Sequence, residues 1–137
     1  FLKRNFMRIL TILMLSAFSI ASCGQQGGKK NSYINADNET FDKLIQAENA
    51  QVIDVRTPQE FAQGFIPNAT NMNVNGSEFA SQAETLDKKQ PVYVYCRSGG
   101  RSVTASKKLK AMGFEKVYNL EGGIMSWQGA GYEVKNP

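Results

Sequence analysis

From Tyr33 to Val134 the chain alternates short apolar runs with amphipathic stretches, and the two periods separate strands from helices. Over residues 40–47, Phe41, Leu44 and Ile45 recur at helical spacing. Residues 51–55 are a short apolar run of strand length. Thr57-Pro58-Gln59-Glu60 follows, with Thr to cap, Pro at the first helical position and Glu at the third. That pattern is a capping box opening a short helix, and Gly64 is its stop. Residues 69–74 predict another strand and 77–86 another helix. The β-branched and aromatic run at 91–95 predicts a strand that leads directly into Cys96. Residues 102–112 predict a helix with Val103, Leu109 and Met112 inward and Gly113 at its end. A strand at 116–120 and a short helix at 124–128 complete the pattern. Strands alternating with helices imply an α/β domain with a mainly parallel sheet flanked by helices.

The start of the chain follows a different pattern. Lys3, Arg4 and Arg8 precede a mostly apolar run at 9–20, which ends in Ala21-Ser22-Cys23. A basic start, a short apolar stretch and small residues before a cut site predict a secretory signal peptide over residues 1–22. The run is well short of the roughly 20 residues a helix needs to cross a bilayer. Ile20-Ala21-Ser22-Cys23 resembles a bacterial lipobox, and the resemblance implies lipidation of Cys23 as the first mature residue. An ordinary signal peptide with an incidental cysteine, or a buried helix, is the plainer alternative. Phe1 is not a start methionine, so the beginning reads as a fragment, with Met7 as an alternative start.

Residues 23–32 are polar and Gly-rich, as in a flexible tether, and the domain is expected at 33–137. The expected location is a bacterial membrane facing the periplasm or cell surface. Gly24 lacks the aspartate of inner-membrane retention, which favours the outer membrane. Removal of residues 1–22 also changes the charge. The chain has 16 basic and 12 acidic residues, and three of the basic ones leave with the signal. The apparent basicity is thus a targeting feature and gives no support to nucleic-acid binding.

The cysteines, Cys23 and Cys96, invite a disulfide in an exported protein unless lipid occupies Cys23. Cys96 then stands as a lone thiol, followed by Arg97-Ser98-Gly99-Gly100-Arg101-Ser102. This segment puts a cysteine at the carboxyl end of a strand, then a tight loop and a helix start, where α/β sheets bind ligands. Gly99 and Gly100 allow the backbone to turn successive N–H groups toward one point, a nest that stabilises an anion. Arg97 and Arg101 add permanent positive charge. Such surroundings lower a thiol's pKa. The chain contains no histidine, so activation falls to the loop N–H groups, the helix dipole and the arginines. A buried structural cysteine is the bland alternative.

Three segments together resemble a single-domain rhodanese. They are Val52–Phe61 continuing through Gly64–Ala69, Cys96–Ser102, and Asn119-Leu120-Glu121-Gly122-Gly123-Ile124 with Trp127. The resemblance implies that the Cys96 thiolate takes the outer sulfur of a donor such as thiosulfate, forming a persulfide. Cyanide or a thiol then removes that sulfur. Arg97 would hold an anionic donor, while Arg101 would close the loop and help fix the charge. Four residues separate Cys96 from Arg101, against five in the cysteine-phosphatase signature, and the tighter loop suits one sulfur atom better than phosphate. Asp54, Arg56 and Glu60 read as scaffold charges, pairing near the strand end and capping the next helix. Phe65 and Asn68 depart from the family's usual histidine and glycine. Trp127 and the tyrosines read as core, and Lys107, Lys108 and Lys110 as a solvated helix face. The expected partners are a small anionic sulfur donor, a thiol or cyanide acceptor, a membrane through the lipid, and a thiol-redox protein. No cofactor or metal is expected. The alternatives are a persulfide carrier, a non-catalytic sulfur-binding module and a thiol sensor.

Overall fold

The computed structural model describes residues 32–137, so the signal peptide, Cys23 and the tether up to residue 31 lie outside the described residues. Ten elements alternate along the chain: β1 (Ile34–Ala36), α1 (Asn38–Ile45), β2 (Gln51–Asp54), α2 (Pro58–Ala62), β3 (Thr70–Asn71), α3 (Phe79–Ala83), β4 (Val92–Tyr95), α4 (Gly100–Ala111), β5 (Val117–Leu120) and α5 (Gly123–Gly129). The strands pair in parallel in the order β1-β5-β4-β2-β3. β4 sits at the centre, so the residue that follows it, Cys96, emerges at the carboxyl edge of the sheet between flanking strands. Among the described residues, no helix is long and apolar enough to cross a membrane.

All four residues of β4 are buried, as expected of a central strand covered on both faces. Their side chains still alternate. Ile53, Val55, Val92 and Val94 pack with Ala105, Leu109 and Phe114 on one face. Val52, Tyr93, Tyr95 and Leu120 pack with Phe41 and Trp127 on the other. Phe41 meets both Tyr93 and Trp127 edge-on with ring centroids 6.1 Å apart, so Trp127 is core as its sequence context suggested.

Local chemistry explains where helices begin. Asp37 caps α1 by accepting from the Thr40 N–H at 2.8 Å, which starts that helix two residues earlier than its apolar spacing suggests. The Thr57 and Glu60 capping box forms as the sequence indicated. Other expectations change. β1 carries only one buried residue and gave no strand signal. The strand expected over 69–74 narrows to two residues, and the helix expected over 77–86 to five. α4 begins at Gly100 rather than Ser102. Its buried face is Ser102, Ala105, Ser106 and Leu109, while Val103 and Met112 are only half-buried, because small residues let the helix lie close to the sheet.

Candidate active site

β4 delivers Cys96 beneath a loop that folds back over it. Cys96 is only 1% exposed. The Gly99 N–H points at its Sγ from 3.0 Å, and the thiol lies 3.4 Å from the Ser102 Oγ. The Ser102 hydroxyl in turn donates to the Gly99 carbonyl at 3.0 Å, so loop and helix start are tied together around the sulfur. Gly99 makes this turn with φ 114°, where a side chain would be strained. Gly100 does not share that role: it is the first residue of α4, has no positive φ, and a Cβ there would meet nothing within 4 Å.

Burial pushes the Cys96 thiol up. The Ser102 side chain and the N–H groups of Ser102, Gly99 and Ser98 oppose burial and outweigh it, leaving the thiol below its ordinary pKa. The loop therefore favours the thiolate more than burial alone would allow.

A second layer holds the loop in position. Arg101 makes a two-pronged pair with Glu60, both N–H···O contacts at 2.7 Å. Glu60 also accepts from the Thr57 N–H at 3.0 Å, and Arg101 above all holds its carboxyl down at about 2. One carboxylate thus caps α2 and clamps it to the first turn of α4. Asp54 and Arg56 form a separate buried pair, closest at 2.6 Å, and Arg56 also donates to the Gly64 carbonyl at 2.7 Å. Arg56 lies 5.8 Å from the centre of the Tyr95 ring. The three charges near the end of β2 are thus all engaged with protein partners, but Glu60 also reaches the Cys96 loop.

On its far side the loop rests on α5. The N–H groups of Ile124 and Met125 donate to the Cys96 and Arg97 carbonyls at 2.9 and 3.1 Å. Gly123 allows this approach: a Cβ there would press into the Arg97 carbonyl and stand 2.6 Å from the Cys96 carbonyl oxygen. Gly122, at φ 77°, turns the chain from β5 into the helix. The glycine pair therefore both turns the strand and brings α5 against the loop.

Arg97 and Ser98 are exposed at the loop tip, and Arg97 borders a cleft of about 270 Å³. Gln63, Met125 and Gln128 also line this cleft and were missed by sequence reasoning. No local pattern marked them; Met125, two residues after the Gly-Gly pair, is 53% exposed. Phe65, at the family's usual histidine position, stacks on Phe61 with centroids 4.3 Å apart.

A family model of the rhodanese-like domain matches residues 37–130. A sulfurtransferase of Allochromatium vinosum is 35% identical over 102 residues, covering 74% of this chain and 94% of its own length. The thiosulfate sulfurtransferase GlpE of Vibrio cholerae is 31% identical, covering 75% of this chain and 95% of its own length. A crystal structure of a rhodanese-related protein from Thermoplasma volcanium superposes with a TM-score of 0.68 at 31% identity, covering 77% of this chain and all of that one. The matched stretch runs from the cap of α1 through α5 and includes the whole Cys96 loop, and the chain belongs to the rhodanese-like domain family.

Proposed function

We propose that the protein is a sulfurtransferase that carries sulfane sulfur on Cys96. The observation that supports this reading best is the Cys96 Sγ beneath its own loop, with the Gly99 N–H at 3.0 Å and Ser102 beside it. The thiolate attacks the outer sulfur of a donor such as thiosulfate; the donor's S–S bond breaks and its electron pair leaves with sulfite. The resulting persulfide takes the place the loop provides for an anion. Cyanide or a thiol then attacks the outer sulfur and returns the thiolate. Arg97, exposed at the loop tip, meets the donor's negative charge.

The relatives' names point to the same chemistry, one of them to thiosulfate. The position of Arg101 argues against phosphoryl transfer, because both arms of its guanidinium are taken by Glu60. Export, lipidation of Cys23 and membrane attachment facing the periplasm or cell surface, with the outer membrane favoured, belong to this proposal on the strength of the N-terminal sequence. A thiol-redox protein that keeps Cys96 reduced there completes the set of proposed partners. The test is thiosulfate-to-cyanide sulfur transfer by purified protein beside Cys96→Ala. Turnover abolished by the substitution is expected; turnover equal in both would remove Cys96 from the mechanism.

A further inference from the structure

α5 holds the Cys96 loop by its backbone, and this grip sets where the loop's own N–H groups point. The Ile124 and Met125 N–H groups donate to the carbonyls of Cys96 and Arg97 at 2.9 and 3.1 Å. No peptide bond among the described residues is cis, so in each gripped peptide the N–H points away from the carbonyl. A grip on the Arg97 carbonyl therefore turns the Ser98 N–H to the opposite side of that peptide. The Ser98 N–H is one of the groups that oppose burial at the Cys96 sulfur. Hydrogen bonds in series polarise one another, so accepting at the Arg97 carbonyl also strengthens donation from Ser98.

Ile124 and Trp127, 3% and 1% exposed, pin one face of α5 in the core. One pinned face does not by itself set the rotation of a seven-residue helix about its axis. A further hold comes from α1. Asn38, the first residue of that helix, donates through Nδ2 to the Ser126 hydroxyl at 2.9 Å and to the Ser126 carbonyl at 3.2 Å. Ser126 in turn donates through its N–H to the Gly122 carbonyl, at the turn from β5 into α5. The Asn38 Oδ1 is buried with no hydrogen-bond partner among the described residues. An unpaired buried acceptor is destabilising, so the side chain contributes here as a donor.

Resting on the reading of Cys96 as the reactive thiol, we infer that Asn38 is a positioning residue for the site. Through Ser126 it fixes the rotation of α5; α5 fixes the Cys96 and Arg97 carbonyls; and the gripped peptide keeps the Ser98 N–H on the sulfur. Asn38 acts from α1, outside both the loop and the cleft.

The test compares wild type, Asn38→Ala, Ser126→Ala and Asp37→Ala in the full chain. Asp37→Ala removes the cap of α1, and so loosens the same helix without touching the Ser126 contact. Alkylation of Cys96 by iodoacetamide, followed against pH by peptide mass spectrometry, gives the midpoint of thiolate formation. Calorimetry gives Tm. In Asn38→Ala the midpoint should rise by about half a pH unit or more, which slows alkylation ~threefold below it. Ser126→Ala keeps the carbonyl contact and should move the midpoint the same way by less. Asp37→Ala should lower Tm and leave the midpoint in place. A midpoint unmoved in Asn38→Ala, or in Ser126→Ala should Asn38→Ala not fold, would overturn the inference. So would an equal rise in Asp37→Ala, which would make the effect one of general loosening. Alkylation needs no sulfur donor, so a wild type that transfers no sulfur would overturn the sulfurtransferase reading while the midpoints still decide the role of Asn38.

Discussion

At the scale of single residues the central object is a buried thiol whose pKa the surrounding loop holds below its ordinary value. Burial alone would favour the neutral thiol, so the depressed pKa of Cys96 depends on Ser102 and the loop N–H groups. A hydrogen bond to a charged group contributes about 1.5–3 kcal/mol, so Ser102→Ala should cost ~10- to 100-fold in kcat/KM. The rising limb of the pH–rate profile should also move to higher pH in that variant. An unmoved limb would assign thiolate stabilisation to the backbone alone.

Glu60 titrates in the opposite sense to a stabilising cation. Its carboxyl is held at about 2, below the ordinary 4.5, so its stabilisation is complete above the ordinary value. It is lost as pH falls from 4.5 through about 2. Acid unfolding followed by circular dichroism should show wild type more stable than Glu60→Gln above that window, with the difference narrowing through it and gone below about 2.

The cysteine, its glycines and the capping box were legible in the sequence because each is a local pattern. The Glu60–Arg101 clamp was not, since 41 residues separate its partners and only the fold brings them together. The roles of Gly99 and Gly100 could not be separated until the backbone angles were known.

At the scale of elements the site is the meeting of one strand end with three helices. β4 presents the sulfur, α4 begins around it, α2 clamps it through Glu60, and α5 supports it from beneath. Gly123 is the tightest of these joints. Gly123→Ala adds a Cβ against backbone carbonyls at φ 60°, and neither can yield without moving α5 or the loop. A loss of about 2–4 kcal/mol is expected. At ~4–8 °C per kcal/mol for a domain near this size, Tm should fall by roughly 10 °C or more. Differential scanning calorimetry measures this, and a Tm unchanged within 2 °C would show that α5 is free to shift.

Elements with dense apolar runs, β2, β4 and β5, were legible as strands. β1 was not, because a strand of three residues with one buried position leaves almost no pattern, and β3 was legible at 69–74 but forms over only two residues at the sheet edge. The inward face of α4 was partly misassigned for a related reason. Its contacts are made by Ser102, Ala105 and Ser106, residues that apolar periodicity does not count.

At the scale of the whole molecule, parallel pairing separates the ends of the domain. β1 and β4 run the same way in the sheet, so the chain enters at Ile34 on the edge opposite Cys96. The segment that precedes β1 therefore joins the domain at the sheet edge away from Cys96. Cys23→Ser should move the protein from the membrane to the soluble fraction with thiosulfate turnover retained, as fractionation and assay of both fractions would show. Turnover that disappears with the anchor would tie the site to the membrane. The overall architecture was legible from the alternation of strands and helices, whereas the strand order, and with it this separation of ends, emerges only from the pairing.

The most direct test of the account is the mass of intact protein after exposure to a sulfane-sulfur donor, with peptide mapping of the addition. The account predicts one added sulfur on Cys96, removed by cyanide or thiol and absent from Cys96→Ala. Folded, reduced protein that gains no sulfur from thiosulfate, or gains it away from Cys96, would contradict the account.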